Sequence, residues 1–404
     1  MRRAGARCSA LGARRGRLVL ASLVVLACAD ASARDETVLE FWGMGREGEV
    51  VETLVRDFER ENPGIRVRVQ QIPWTAAHEK LLTAHVGGAT PDVAQLGNTW
   101  IPEFQALDAL EPLDAWVARS DVVDPADYFR GIWQTNVVES VLYGVPWYVD
   151  TRVIFYRTDL LREAGYDAVP TTWAGWRTAL ERLRARAEPG AWPALLPTNE
   201  WALTAILGLQ AGSPLLRDGG RYGAFSDSAF RRGFEYYIGL FRDSLAPPFA
   251  DRQVSNIFQE FARGRFAMYI TGPWNVGEFR RRLPPDVPWT TAPLPGPTGA
   301  ESGASNAGGS SLVLFRGSPN PAAAWKLVEF LSRPDVQLEF SRLTGDLPAR
   351  QSAWQDSTLI GDREMRAFYE QLQRVEPLPK VPEIELIVQK LAEHAERVIH
   401  GGVS

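Results

Sequence analysis

Cysteine is almost missing from this 404-residue chain: the two present, Cys8 and Cys28, both fall in the first 33 residues. Beyond that point no disulfide staple, thiol nucleophile or cysteine-held metal can form. Lysine is nearly as scarce, at Lys80, Lys326, Lys380 and Lys390, and the net charge is −5, which leaves no broad basic patch for nucleic acid. Histidine occurs four times. His78 and His85 stand seven apart with no acid at i+4, and His394 and His400 fall in a polar C-terminal helical pattern. Metal-ligand spacing of the HExxH kind is therefore absent. No GxSxG elbow and no GxxxxGK[ST] loop occurs, so a serine hydrolase and a P-loop have no support. No cofactor is implied. A glycosidase-type carboxylate pair stays open at this level, because 48 of the 49 acids follow residue 33.

Long hydrophobic runs are also lacking. A spanning helix needs about 20 apolar residues. The run Leu18–Ala27 is shorter and is interrupted by Ser22. Six arginines precede it and Ala31-Ser32-Ala33 follows it. Residues 1–33 thus read as a secretory signal peptide. Its removal takes away six arginines and Asp30, which moves the net charge from −5 to −10. An exported chain this acidic is a poor partner for nucleic acid or anionic membranes. Val25-Leu26-Ala27-Cys28 also resembles a bacterial lipobox. The alternative is therefore a lipoprotein, cleaved before Cys28 and anchored through it. Either way the expected place is the periplasm or cell envelope.

The rest has an ordinary globular composition, 45% apolar and 23% charged, and is long enough for a large core. Val38–Trp42 reads as a strand. Glu47–Glu61 reads as a helix, with Val51, Leu54, Val55 and Phe58 at i, i+3, i+4 and i+7. Asn62-Pro63-Gly64 stops it, and Ile65–Val69 alternates like a half-exposed strand. A second helix near Thr75–Val86 and a strand Asp92–Leu96 continue the rhythm, which predicts a mostly parallel, helix-covered sheet. Farther on, a strand is expected at Val153–Tyr156, helices at 172–187, 199–211, 227–244 and 255–263, and a strand at Arg265–Ile270. After a Pro/Gly/Ser-rich loop from Pro293 to Gly309, a strand at Ser311–Phe315 and helices at 319–331 and 334–343 follow. The crossings near 145–150 and 296–308 look like linkers between two lobes, each discontinuous in sequence.

What is abundant is tryptophan, 14 in all, much of it placed where a strand ends or a loop turns. Trp42 precedes Gly43, Trp74 follows Pro73, and Trp100 follows Gly97-Asn98-Thr99. Trp147 and Tyr148 follow Pro146, and Trp274 follows Gly272-Pro273. In an open α/β sheet, ligands bind outside the carboxyl ends of strands. An exposed ring there can stack on the apolar face of a sugar while nearby polar side chains bind its hydroxyls. Trp116, Trp133, Trp173, Trp176 and Trp325 lie inside helical patterns and read as core.

Five stretches occur in an order that resembles the extracellular solute-binding proteins of family 1, the carbohydrate receptors of bacterial ABC importers, including the maltose/trehalose-binding proteins. They are Phe41-Trp42-Gly43 with the helix running to Asn62-Pro63-Gly64; Gly88-Ala89-Thr90-Pro91-Asp92-Val93; Leu142-Tyr143-Gly144-Val145-Pro146; Gly264-Arg265-Phe266-Ala267-Met268 through Gly272-Pro273-Trp274; and Gly308-Gly309 before an apolar strand. The resemblance implies a two-lobed α/β periplasmic-binding-protein fold, type II-like, with discontinuous lobes joined by a hinge and the ligand cleft between them. It implies an N-terminal lobe of 34–147 plus about 305–349, and a C-terminal lobe of 148–304 plus about 350–404. The implied activity is binding, not catalysis. A monomeric receptor would close on a mono- or oligosaccharide, a disaccharide as best guess, and pass it to membrane permease subunits. A same-fold receptor for a glycerol-phosphate-type ligand is the alternative. Position by position, the resemblance points to Glu47, Asn98, Trp100, Tyr148, Asp150, Trp274, Gly309, Ser310 and Arg350 as ligand contacts. Aromatic placement adds Trp74 and Trp201. Many relatives carry a further C-terminal amphipathic helix, which this sequence, ending at Ser404, is expected to lack.

Overall fold

The computed structural model describes residues 36–250 and 253–402; the leader at 1–33 and Cys28 lie outside them. Among the described residues, ten strands form the two main sheets. In chain order they are β1 (Thr37–Met44), β2 (Ile65–Ile72), β3 (Val93–Gly97), β4 (Val145–Asp150), β5 (Val153–Arg157), β6 (Trp192–Leu195), β7 (Phe266–Thr271), β8 (Trp289–Ala292), β9 (Gly308–Leu314) and β10 (Leu347–Pro348). The six-stranded sheet has the order β10-β4-β9-β3-β1-β2, and the four-stranded sheet the order β8-β5-β7-β6. The helices that bear on the cleft are α1 (Gly45–Glu61), α2 (Trp74–Val86), α3 (Ala202–Gln210), α4 (Trp274–Arg282), α5 (Pro334–Thr344) and α6 (Ile384–Ile399).

The opening rhythm folds as its periodicity predicts. The α1 stripe of Val51, Leu54, Val55 and Phe58 is buried, because those positions repeat on one face of a 3.6-residue turn. The chain then reverses at Gly64, whose φ of +100° suits a residue without a side chain. In β2, Ile65, Val67 and Val69 pack against the core while Arg66 and Arg68 face water, the alternation of an edge strand.

The expectation of a mostly parallel sheet holds only for the first third of the chain. β2, β1 and β3 are parallel, but β9 runs antiparallel to β3 and to β4, and β10 antiparallel to β4. The physical reason is connectivity. Strand–helix–strand units impose parallel order; β9 enters from the four-stranded sheet without one, and β10, reached from β9 through helix Pro321–Leu331 and α5, runs parallel to β9 and therefore antiparallel to β4. The first crossing is also tighter than a linker: Val145–Asp150 is itself a strand, and only Thr151 and Arg152 separate it from β5 in the other sheet. The helix expected over 199–211 starts late, at Ala202, where the Glu200 carboxylate accepts the Ala202 N–H at 3.1 Å.

Burial separates the break-placed aromatics. Trp147 is wholly buried, stacked on Phe340 at 4.3 Å and edge-on to Phe41 at 5.9 Å. Trp42 is buried under Lys80. Trp74 and Trp274 keep 36% and 47% of their surface in contact with solvent.

Candidate functional site

The ends of β1, β3 and β4 and the N-termini of α1, α2, α3 and α4 converge on a cleft of about 470 Å³, within the range of small-molecule sites. The turn from β1 into α1 sets its first polar group. Gly45 sits at φ +52°, and a Cβ there would come within 2.8 Å of the Trp74 ring. That turn delivers Glu47 into the first turn of α1, where a carboxylate suits the helix dipole. The spacing Gly43-Met44-Gly45-Arg46-Glu47-Gly48 also matches the GxGxxG of dinucleotide-binding turns. Its glycines serve a different end here. A Cβ on Gly43 or Gly48 would run into the other's backbone at 2.6 Å, and the place a pyrophosphate would take is occupied by the Glu47 carboxylate.

A buried network ties this wall together. The Met44 N–H donates to Gln95 Oε1 at 2.7 Å, and Gln95 Nε2 donates to the Tyr148 hydroxyl at 3.1 Å. That hydroxyl donates to Glu47 Oε1 at 3.1 Å and accepts from Ser310 Oγ at 3.0 Å. Burial pushes the Glu47 carboxyl above its ordinary value, while its own backbone N–H, the Tyr148 hydroxyl and the Trp74 indole N–H support its charge. Tyr148 is pushed well up by burial and by the Glu47 and Asp346 charges, so it stays a neutral donor. Asn98 follows β3, and its amide donates to Ala307 O at 3.0 Å. Gly309, at φ +119°, lies so close to β4 that a Cβ would meet Tyr148 O at 2.3 Å.

The opposite wall is aromatic. Trp201 precedes α3 and Trp274 is the first residue of α4. Arg152 joins the two walls. Its guanidinium reaches Asp150 at 3.2 Å and Glu200 at 3.3 Å, and lies 4.7 Å over the Trp274 ring. Burial raises the Asp150 carboxyl, with Arg152 pulling it back and Glu200 pushing it up. A further aromatic line enters from α2: Trp74 meets Trp100 edge-on at 5.7 Å, and Trp100 meets His78, which is hydrogen-bonded to Glu103 at 2.6 Å.

Glu47, Trp74, Asn98, Trp100, Tyr148, Asp150, Trp201, Trp274, Gly309 and Ser310 all line this one cleft. Arg350 does not, and the expectation that it contacts ligand is corrected. Its side chain is 7% exposed, paired with Asp127, and donates to Val122 O at 2.7 Å and Ser332 O at 3.1 Å. Those partners hold its guanidinium away from the cleft. Sequence reasoning missed Arg152, Asp346 and Glu385, which also line the cleft. Asp346 follows Gly345 at a break between α5 and β10, a break that no aromatic residue marks. Among the described residues no His/Cys/Asp/Glu group has the arrangement to hold a metal ion.

Residues 44–338 match the sequence model of the bacterial extracellular solute-binding proteins. A solved structure, that of the sugar-binding protein MalE from Xanthomonas citri, is 51% identical, with 91% of this chain and 93% of that one covered, at a TM-score of 0.89. A putative binding protein of Brucella abortus is 26% identical over 90% of this chain and 88% of its own length. The galactooligosaccharide-binding protein of Bacillus subtilis is 25% identical, over 86% and 81%. The two-lobed α/β fold is that of the Xanthomonas protein and of further solved sugar-binding neighbours.

Proposed function

Because the chain belongs to the bacterial extracellular solute-binding protein family, we propose that it is an exported receptor for a neutral mono- or oligosaccharide, a disaccharide as best guess. It closes by hinge motion and hands its sugar to the permease of an ABC importer. The carrying observation is the cleft itself: partly exposed Trp74 and Trp274, with Glu47, Tyr148 and Asp150 beside them. Indole faces suit the C–H face of a sugar, and carboxylates and hydroxyls suit its O–H groups. The Xanthomonas relative is a sugar-binding protein and the Bacillus relative a galactooligosaccharide-binding protein, which supports a sugar.

A glycerol-phosphate ligand fits poorly. Four carboxyls, Glu47, Asp150, Asp346 and Glu385, line the cleft against one cation, Arg152, which Asp150 and Glu200 already engage. A phosphate would meet net repulsion. The proposed lobes are 34–147 with 305–349 and 148–304 with 350–404; because β4 stays in the six-stranded sheet as far as Asp150, the first crossing of this reading falls at Thr151–Arg152, three residues beyond the expected boundary, and the second near Asn306. Export by residues 1–33, to the periplasm or to a lipid anchor at Cys28, and a monomeric state complete the proposal.

The test is a thermal-shift screen against mono-, di- and trisaccharides and glycerol phosphates. A ligand at 100 times its Kd stabilises by about 2.7 kcal/mol, a melting shift of a few degrees. A shift with a sugar, cut to about a third by Trp274→Ala, is expected. A shift with phosphodiesters alone overturns the sugar reading.

A further inference from the structure

Asp346 follows Gly345, the left-handed C-cap of α5, and precedes β10. In the antiparallel pair, Leu347 faces Val149 and Pro348 faces Tyr148, so the same register continued by one residue sets Asp346 opposite Asp150. Like charges placed directly opposite across a strand pair repel. The titratable groups that act on Asp346 are Glu47 of α1 and Asp150 of β4, both carboxyls, and Tyr148 of β4 feels its charge in turn. The cation of this wall, Arg152, is turned to Asp150 and Glu200. Arg350, four residues on, is turned to Asp127. Two neighbouring carboxyls in a part-buried site cannot both be charged cheaply, and the proton rests on the one with fewer donors. Glu47 has three donors, namely its own N–H, Tyr148 and Trp74. Asp346 has the Thr344 hydroxyl.

We propose that Asp346 is a specificity-determining residue of the sugar site that meets its ligand as a neutral carboxylic acid, donating a hydrogen bond to a sugar oxygen while ionised Glu47 accepts one from a neighbouring hydroxyl. This rests on the sugar reading above and deepens it: the pair is matched to a vicinal diol, which offers one donor and one acceptor on adjacent carbons. Burial and the Glu47 and Asp150 charges push the Asp346 carboxyl up to about 7. If only the protonated form binds, the competent fraction falls about tenfold between about pH 6 and about pH 8, and the apparent affinity falls with it.

Two measurements on the full chain test this. Infrared difference spectra follow the protonated-carboxyl stretch through a pH titration without sugar. Wild type should show a band that titrates near neutrality, absent in Asp346→Asn and shifted to lower pH in Glu47→Gln. Calorimetric titrations with maltose, trehalose and lactose then read the slope of affinity against pH. Wild type should lose about tenfold between about pH 6 and about pH 8, and Asp346→Asn, whatever its affinity, should be flat. A missing band, or a slope that persists in Asp346→Asn, overturns the proposal. If no sugar binds wild type, the sugar reading fails, and the infrared band alone decides whether Asp346 holds the proton.

Discussion

The two walls of the cleft are built by different physics. On the six-stranded-sheet side, Glu47, Tyr148 and Ser310 are wired to each other and, through Gln95, to the backbone of Met44. On the other side, Trp201 and Trp274 stand at helix starts, and Arg152 braces Trp274 from the opposite wall. A hydrogen-bonded wall holds donors and acceptors at fixed angles, so it can discriminate hydroxyl patterns. An aromatic wall offers area that any sugar face can use, so it contributes affinity with little discrimination. The contrast also runs through one dipeptide. Trp147 and Tyr148 are adjacent on β4, and the strand's alternation sends the first into the core and the second to the cleft.

The sharpest way to break that comparison is to exchange the fates of two tryptophans. Trp147→Ala removes a side chain with no exposed surface and its stacking on Phe340. It should cost about 3–5 kcal/mol of stability, read by denaturant unfolding. Trp274→Ala removes a ring that is 47% exposed. It should leave the unfolding midpoint nearly unchanged and weaken sugar binding by about 2 kcal/mol, roughly 30-fold in Kd. If Trp274→Ala destabilises as much as Trp147→Ala, the ring is core and the aromatic wall is misassigned.

A smaller effect separates the wired wall from the stacked one. Tyr148→Phe keeps the ring and deletes the hydroxyl that serves Gln95, Glu47 and Ser310 at once. Leaving buried partners unsatisfied should cost about 1–2 kcal/mol in unfolding free energy. The same change withdraws a donor from Glu47, so its carboxyl should titrate higher still. Selectivity among epimeric sugars should narrow more than overall affinity falls, as competition calorimetry would show. Equal losses across all epimers would mean that the network holds the fold and not the ligand pattern.

Local chemistry was legible in the sequence and long-range chemistry was not. The α1 stripe and the Asn62-Pro63-Gly64 stop follow from periodicity and φ alone. Trp274 after Gly272-Pro273 was readable because a strand end and a helix start abut there. Trp147 showed the same kind of break and is core, since strand alternation, and not the break, decides which side a residue faces. Arg350 was misread because its partners Asp127, Val122 and Ser332 come from two distant segments. Asp346 was missed for the complementary reason: its environment is made by Glu47 and Asp150, 299 and 196 positions away in sequence. The antiparallel half of the large sheet was illegible because nothing local announces where a strand returns from the other lobe.

The smallest expected effect concerns stability, and it distinguishes the two walls by pH. Asp346 binds its proton more tightly folded than unfolded, since its carboxyl is raised from an ordinary value of 3.8 to about 7. The native state therefore holds the extra proton, and stability falls as pH rises from the ordinary carboxylate range to about 7, then levels off. Asp346→Asn removes that dependence. The variant should gain on wild type through this window and end about 1 kcal/mol ahead above neutrality, a modest figure because the open cleft lets water reach the charge. Trp274→Ala should unfold in parallel with wild type at every pH, because it alters no titrating group. Melting temperatures of the three proteins from about pH 5 to about pH 8.5 decide it. A wild-type curve that parallels Asp346→Asn throughout would mean that the acid-lined wall carries no strain, and that its carboxyls are hydrated and independent rather than coupled.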